Sequence, residues 1–159
     1  MQQTPKPKQD PRPALEVRAF VSLMRAADAL SRSSEALLKP YNLSGTQYNV
    51  LRILRGAGQE GLACSEIRRR LISRDPDITR LLDRMESRGW IGRARETQDR
   101  RVVKTRITEK GLRLLAELDP PVSASQSSLW RRFPSRQLVQ LSLLLDRAFE
   151  QAQGAQPGE

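Results

Sequence analysis

The sequence of 159 residues has no histidine, a single cysteine and few aromatic side chains. Without histidine it lacks the commonest metal ligand and the commonest general base. A zinc enzyme or a Ser-His-Asp hydrolase is thereby excluded. One cysteine, Cys64, permits no internal disulfide and suits a reducing, cytoplasmic setting. No apolar run approaches the roughly 20 residues of a membrane-spanning helix, and the polar, Pro- and Lys-containing start does not read as a secretory signal. A Gly-rich phosphate loop, a CxxC pair and carboxylates clustered in a cleft are missing too. The chain therefore reads as a non-enzyme, with no cofactor and no metal.

What the sequence does have is positive charge, unevenly spread. Lys and Arg number 28 against 18 Asp and Glu, a formal net charge of +10. Residues 65–106 carry +6 of this, residues 1–64 carry +4, and residues 107–159 are balanced. A local excess of this kind points to a polyanion partner, with a merely solvated basic surface as the plain alternative. A membrane surface fits less well, because no basic helix has a bulky exposed apolar face.

Residues 1–13 contain four Pro and no periodicity and read as a disordered tail. Residues 14–42 read as a helix and linker, with Phe20, Leu23, Ala27, Leu30, Ser34 and Leu37 at steps of three and four; Lys39-Pro40 ends the helix. Ser44 and Gln47 fit a capping box opening a helix whose apolar face is Tyr48, Val50, Leu51 and Leu54. A short helix follows from about Cys64 to Leu71, with Ile67 and Leu71 inward and Arg68, Arg69 and Arg70 outward. Ala63 stands at its cap position, where a Ser or Thr would serve better. Asp75-Pro76 suits the N-cap and first position of the next helix. Ile78, Leu81, Leu82 and Met85 form its buried face, and Arg88-Gly89 stops it. The period then changes to two. Ile91 to Arg95 and Arg101 to Ile107 read as a hairpin with Ile91, Val103, Thr105 and Ile107 inward. Thr108 can cap a helix containing Leu112, Leu115 and Leu118, which Pro120-Pro121 must kink, break or restart. A last helix spans about Ser135 to Gln151, and residues 154–159 read as a second disordered tail.

The fold class is thus mainly α with a small β-hairpin wing: a winged helix-turn-helix over residues 43–107, between N-terminal (14–42) and C-terminal (108–153) dimerisation helices. A helix fits the major groove of duplex DNA with its first turns facing the bases. A hairpin beside it can lay Arg side chains along the minor groove or the phosphates. Apolar helices at both ends suit an intertwined homodimer facing a palindrome.

Four stretches, Ile78 to Glu86, Arg88 to Ile91, Asp99 to Arg101 and Ile107 to Gly111, together resemble the MarR family of winged helix-turn-helix repressors. The resemblance runs from about Leu43 to Leu118. It implies a homodimeric, sequence-specific repressor on a palindromic promoter operator, released by a small, often aromatic or lipophilic effector. Asp75, Asp77, Thr79, Arg80 and Arg84 would then face DNA from the recognition helix. Arg93, Arg95, Arg100, Arg101 and Lys104 would do so from the hairpin, with Asp99 bracing it and Arg101 favoured for the minor groove. Arg68, with Arg69 and Arg70, would lie near phosphates. Arg80 and Arg84 could instead pair with Asp77, Asp83 or Glu86, and both Arg100 and Arg101 could be braced or solvated. Cys64 reads as a packing residue before a redox sensor. Tyr41, Tyr48, Trp90, Trp130 and Phe133 could line an effector cavity or pack in the core, and the effector-binding residues are unknown. The polar loop Ile72 to Asp75 and the Pro pair depart from the family's pattern. Two other functions stay open: a winged helix used for protein docking, and a non-specific architectural DNA binder.

Overall fold

The computed structural model describes residues 14–73, 77–96 and 102–154, in two compact units that meet in sequence between Leu112 and Arg113. Helix α1 (Leu15–Leu38) ends before Pro40. Lys39–Tyr41 tighten into a 3-10 turn, and Asn42 reverses the chain in the left-handed region at φ 51°. Helix α2 (Gly45–Ala57) opens on the expected capping box. The Gln47 N–H donates to Ser44 Oγ at 3.2 Å, and the Ser44 N–H donates to Gln47 Oε1 at 3.0 Å. A second 3-10 turn (Gly58–Glu60) leads to strand β1 (Leu62–Ala63) and helix α3 (Cys64–Arg70). Ala63 has no side-chain acceptor, so only half a capping box forms there: its N–H donates to Glu66 Oε2 at 3.0 Å.

Helix α4 (Ile78–Ser87) precedes strands β2 (Ile91–Arg95) and β3 (Val103–Ile107). Two hydrogen bonds, Gly89 N–H to Glu86 O at 2.7 Å and Trp90 N–H to Met85 O at 3.1 Å, close α4 in a Schellman motif, with Gly89 at φ 71°. The sheet is antiparallel in the order β1-β3-β2, with Ile91 opposite Ile107, Arg93 opposite Thr105 and Leu62 opposite Thr105 on the other side. At Gly61 (φ 64°) a Cβ would lie 2.7 Å from the Thr105 carbonyl oxygen and 2.6 Å from Arg106 Cγ, so only glycine lets β1 approach β3 this closely. Val50, Leu51, Leu54, Ile67, Ile78, Leu82, Met85 and Ile91 are fully buried. Thr108 joins the hairpin to the next helix: its hydroxyl donates to Gly89 O at 2.6 Å and accepts from the Gly111 N–H at 3.2 Å.

In the second unit α5 (Glu109–Trp130, begun in the first) and α6 (Ser135–Gly154) complete the order, and Leu115 and Leu118 are buried.

Three expectations are corrected. Helix α4 does not open on Asp75-Pro76, which lie outside the described residues. Asp77 is the N-cap, because its own carboxylate reaches the Arg80 N–H at 3.3 Å and its φ of −121° is not helical. Val103 is 43% exposed and not inward. Alternation puts it on the face of Ile91 and Thr105, but its partner is Arg95, at the far end of the ladder from the core. Finally, Pro120 and Pro121 neither break nor restart α5, which runs through them. The two missing N–H groups leave the carbonyls of Ala116 and Glu117 unserved by the helix, and both residues are exposed, where water can take over.

Candidate nucleic-acid interface

The first turns of α4 put polar groups outside because its apolar residues are fixed inside. With Ile78, Leu81, Leu82 and Met85 buried, Thr79, Arg80, Asp83 and Arg84 must face away from the core. Arg80 Nε lies 3.2 Å from Asp77 Oδ2, one of the ion-pair alternatives. Both side chains are largely exposed, so the pair is weak and readily exchanged for another acceptor. The Ile72 N–H donates to Asn49 Oδ1 at 3.0 Å, which ties the chain ahead of α4 to α2. Arg68 is exposed at the end of α3 with Arg69 and Arg70.

The hairpin's cations have different surroundings. Arg93, on β2, turns back onto α4. Its Nε and Nη2 donate to Glu86 Oε2 at 2.8 and 2.6 Å, Nη2 also donates to Asp83 Oδ1 at 2.6 Å, and its backbone N–H donates to Glu86 Oε1 at 3.0 Å. The hydrogen bonds from the Arg93 side chain hold the Glu86 carboxyl below its ordinary pKa, against a smaller opposing effect of desolvation. Glu86 in turn raises that of Arg93. Lys104 Nζ lies 3.1 Å from Glu96 Oε1, and Arg106 Nε donates to Gln59 O at 2.6 Å. Arg95 is exposed. Asp75, Asp99, Arg100 and Arg101 lie outside the described residues.

The Asp83–Glu86–Arg93 cluster was not foreseen. Its signal was present as a carboxylate on the last turn of a helix and an Arg seven residues on, across a glycine stop. A second unforeseen junction sits at the end of α4. Arg88 Nη1 donates to Asn42 O at 2.6 Å, its guanidinium stands 4.8 Å from the Trp90 ring centroid, and Lys110 Nζ donates to Arg88 O at 2.8 Å.

An open cleft of about 650 Å³ is lined by Arg32, Glu35, Lys39, Ser44, Gln47 and Arg88 among others, and by none of the five aromatic residues considered for an effector cavity. Trp90 is 7% exposed and packs in the core; Tyr41, Tyr48 and Trp130 are half-buried, and Phe133 is exposed. Cys64 is half-buried at the first position of α3. No helix among the described residues is long and apolar enough to cross a membrane.

Comparison with known proteins bears on this arrangement. The MarR family model matches residues 43–103. The HTH-type transcriptional regulator TtmR of Methylorubrum extorquens (strain PA1) is 35% identical over 112 residues, covering 70% of this chain and 56% of its own length, so the chain spans little over half of that relative. The transcriptional repressor MprA of Escherichia coli (strain K12) is 30% identical over 118 residues, covering 74% of this chain and 67% of its own. Among solved structures, a MarR transcription factor from Planctomyces limnophilus aligns with a TM-score of 0.65 and 36% identity over 85% of this chain and 98% of that one.

Proposed function

The chain belongs to the MarR family of winged helix-turn-helix transcriptional regulators, and from that premise we propose that it is a homodimeric repressor that reads a palindromic operator and is released by a small aromatic or lipophilic effector. The observation that carries this reading is the start of α4, where Thr79 and Arg80 are exposed on a helix whose opposite face is locked in the core, beside a hairpin that adds exposed Arg95. Arg80 is suited to bidentate pairing with guanine, and Arg84 and Arg68 to phosphates. Arg100 and Arg101 fall in sequence between β2 and β3; in this reading Arg101 would enter the minor groove and Asp99 brace it. Two copies are supported by α1 and α6. Phe20 and Met24 on α1, and separately Leu143 and Phe149 on α6, are exposed in the single chain, apolar surfaces of the kind a second chain covers. A cytoplasmic location, the lack of enzymatic activity and the division into DNA-reading residues 43–107 and flanking dimerisation helices belong to the same proposal.

Fluorescence anisotropy with the DNA upstream of its own gene and with a scrambled duplex, at about 0.15 M salt, tests it. A preference of about a thousandfold or more is the mark of a specific regulator. Equal affinities would favour an architectural binder, and no binding to either a docking module. Arg80→Ala should relax the preference at one base position in each half-site by about 1–3 kcal/mol. Arg101→Ala should weaken binding to every duplex and lower the salt slope by about one.

A further inference from the structure

We propose that Arg93 is a positioning residue: through Glu86 and Asp83 it latches the base of the wing to the recognition helix, so that the two DNA-reading elements are presented as one rigid head. This rests on the DNA-reading function proposed above. Four hydrogen bonds join β2 to α4 at this point, three from the guanidinium and one from the backbone N–H of the same residue. Both ends of the latch are well placed. Arg93 sits in the middle of β2, opposite the fully buried Thr105, so the strand cannot slide or tilt without moving the guanidinium. Thr79, Asp83 and Glu86 are spaced four and three apart, which puts them on one stripe of α4. The latch therefore grips the same stripe that presents Thr79, one turn further along.

The charges argue the same way. Asp83 and Glu86 are like-charged neighbours on a helix facing a polyanion, an arrangement that repels DNA as well as itself. Arg93 is 26% exposed at its side chain, the more enclosed partner of the cluster, and engages both carboxylates. A cation serving phosphates would be better placed without two carboxylates at 2.6 Å. β2 is also an edge strand, and Glu86 takes up the outward N–H of Arg93 that the ladder leaves over.

The test uses the full-length protein, a duplex enriched by the wild type from a random pool, and a scrambled duplex of equal length. Removing a negative charge from a DNA-facing surface should tighten binding if electrostatics alone mattered. The latch predicts the reverse for Glu86→Gln: about tenfold or greater loss on the enriched duplex, unchanged or slightly tighter binding to the scrambled one, and loss of hydroxyl-radical protection in the minor groove beside retained major-groove protection. Arg93→Gln should do the same with an unaltered salt slope. Asp83→Asn, which leaves the Glu86 pair in place, should fall between and guards against a variant that fails to fold. Glu86→Gln binding the enriched duplex as tightly as wild type, or a salt slope reduced by about one in Arg93→Gln, overturns the latch while leaving the DNA-reading function intact. A wild type that enriches no duplex overturns both.

Discussion

Helices α4 and α1 have the same kind of apolar periodicity and opposite fates. The ten residues of α4 bury Ile78, Leu81, Leu82 and Met85, whereas of the 24 residues of α1 only Leu38 is buried and Phe20 stays 64% exposed. Helical spacing of apolar residues states that a face will be covered, not what will cover it. For α4 the cover is α3 and strand β2 of the same chain; the apolar residues of α1 stay exposed in the single chain.

The largest effect that could break this contrast comes from placing charge on the α1 face. The double substitution Phe20→Glu, Leu23→Glu should abolish the dimer in analytical ultracentrifugation, and operator binding with it. A monomer that stays helical would show that the face is needed only between chains. The same chemistry in the core acts within one chain: Leu51→Ala should cost about 2–5 kcal/mol in urea denaturation, while Leu23→Ala should change the dimer's dissociation constant far more than the unfolding of a monomeric background. A finer comparison is between the starts of α2 and α3. Ser44→Ala should lose about 1 kcal/mol, within the usual range for an N-cap, and Ala63→Ser should stabilise α3 by supplying the acceptor it lacks. The smallest effect is acid dependence. The folded-state pKa of Glu86 is lowered, so its contribution to stability is fully present above the ordinary carboxylate value of about 4.3 and is lost as pH falls through the lowered folded value. Thermal melts of wild type and Glu86→Gln should therefore differ at neutral pH and converge in acid.

Much of this architecture was legible where one residue decides a local event. Ser44 with Gln47, Gly89 after Arg88, and Thr108 each act through atoms within a few residues, and each starts or stops an element where expected. Legibility failed where two candidates competed or where depth mattered. Asp75 and Asp77 are equally good caps by type; which carboxylate meets an amide depends on the path of the loop. Val103 has the parity of a core residue and the position of a rim residue. Strand β1 is two residues long, too short for alternation to register, and exists because Gly61 admits it against β3. Charge and hairpin membership group Arg93 with the DNA-facing arginines; a carboxylate on the last turn of α4 and an Arg seven residues on is too common a pattern to single out the Glu86 and Asp83 contacts it makes.

The junction at the end of α4 also makes the protein its own optical gauge. Trp90 is nearly sealed from solvent with the Arg88 guanidinium over its ring, while Trp130 is half-buried with Phe133 edge-on at 5.6 Å. The two indoles should differ in emission wavelength and in access to a soluble quencher. Because Arg88 is tethered to the Asn42 carbonyl as well, any rearrangement between the end of α1 and the end of α4 would register in the shielded emission of Trp90, without a dye or a label.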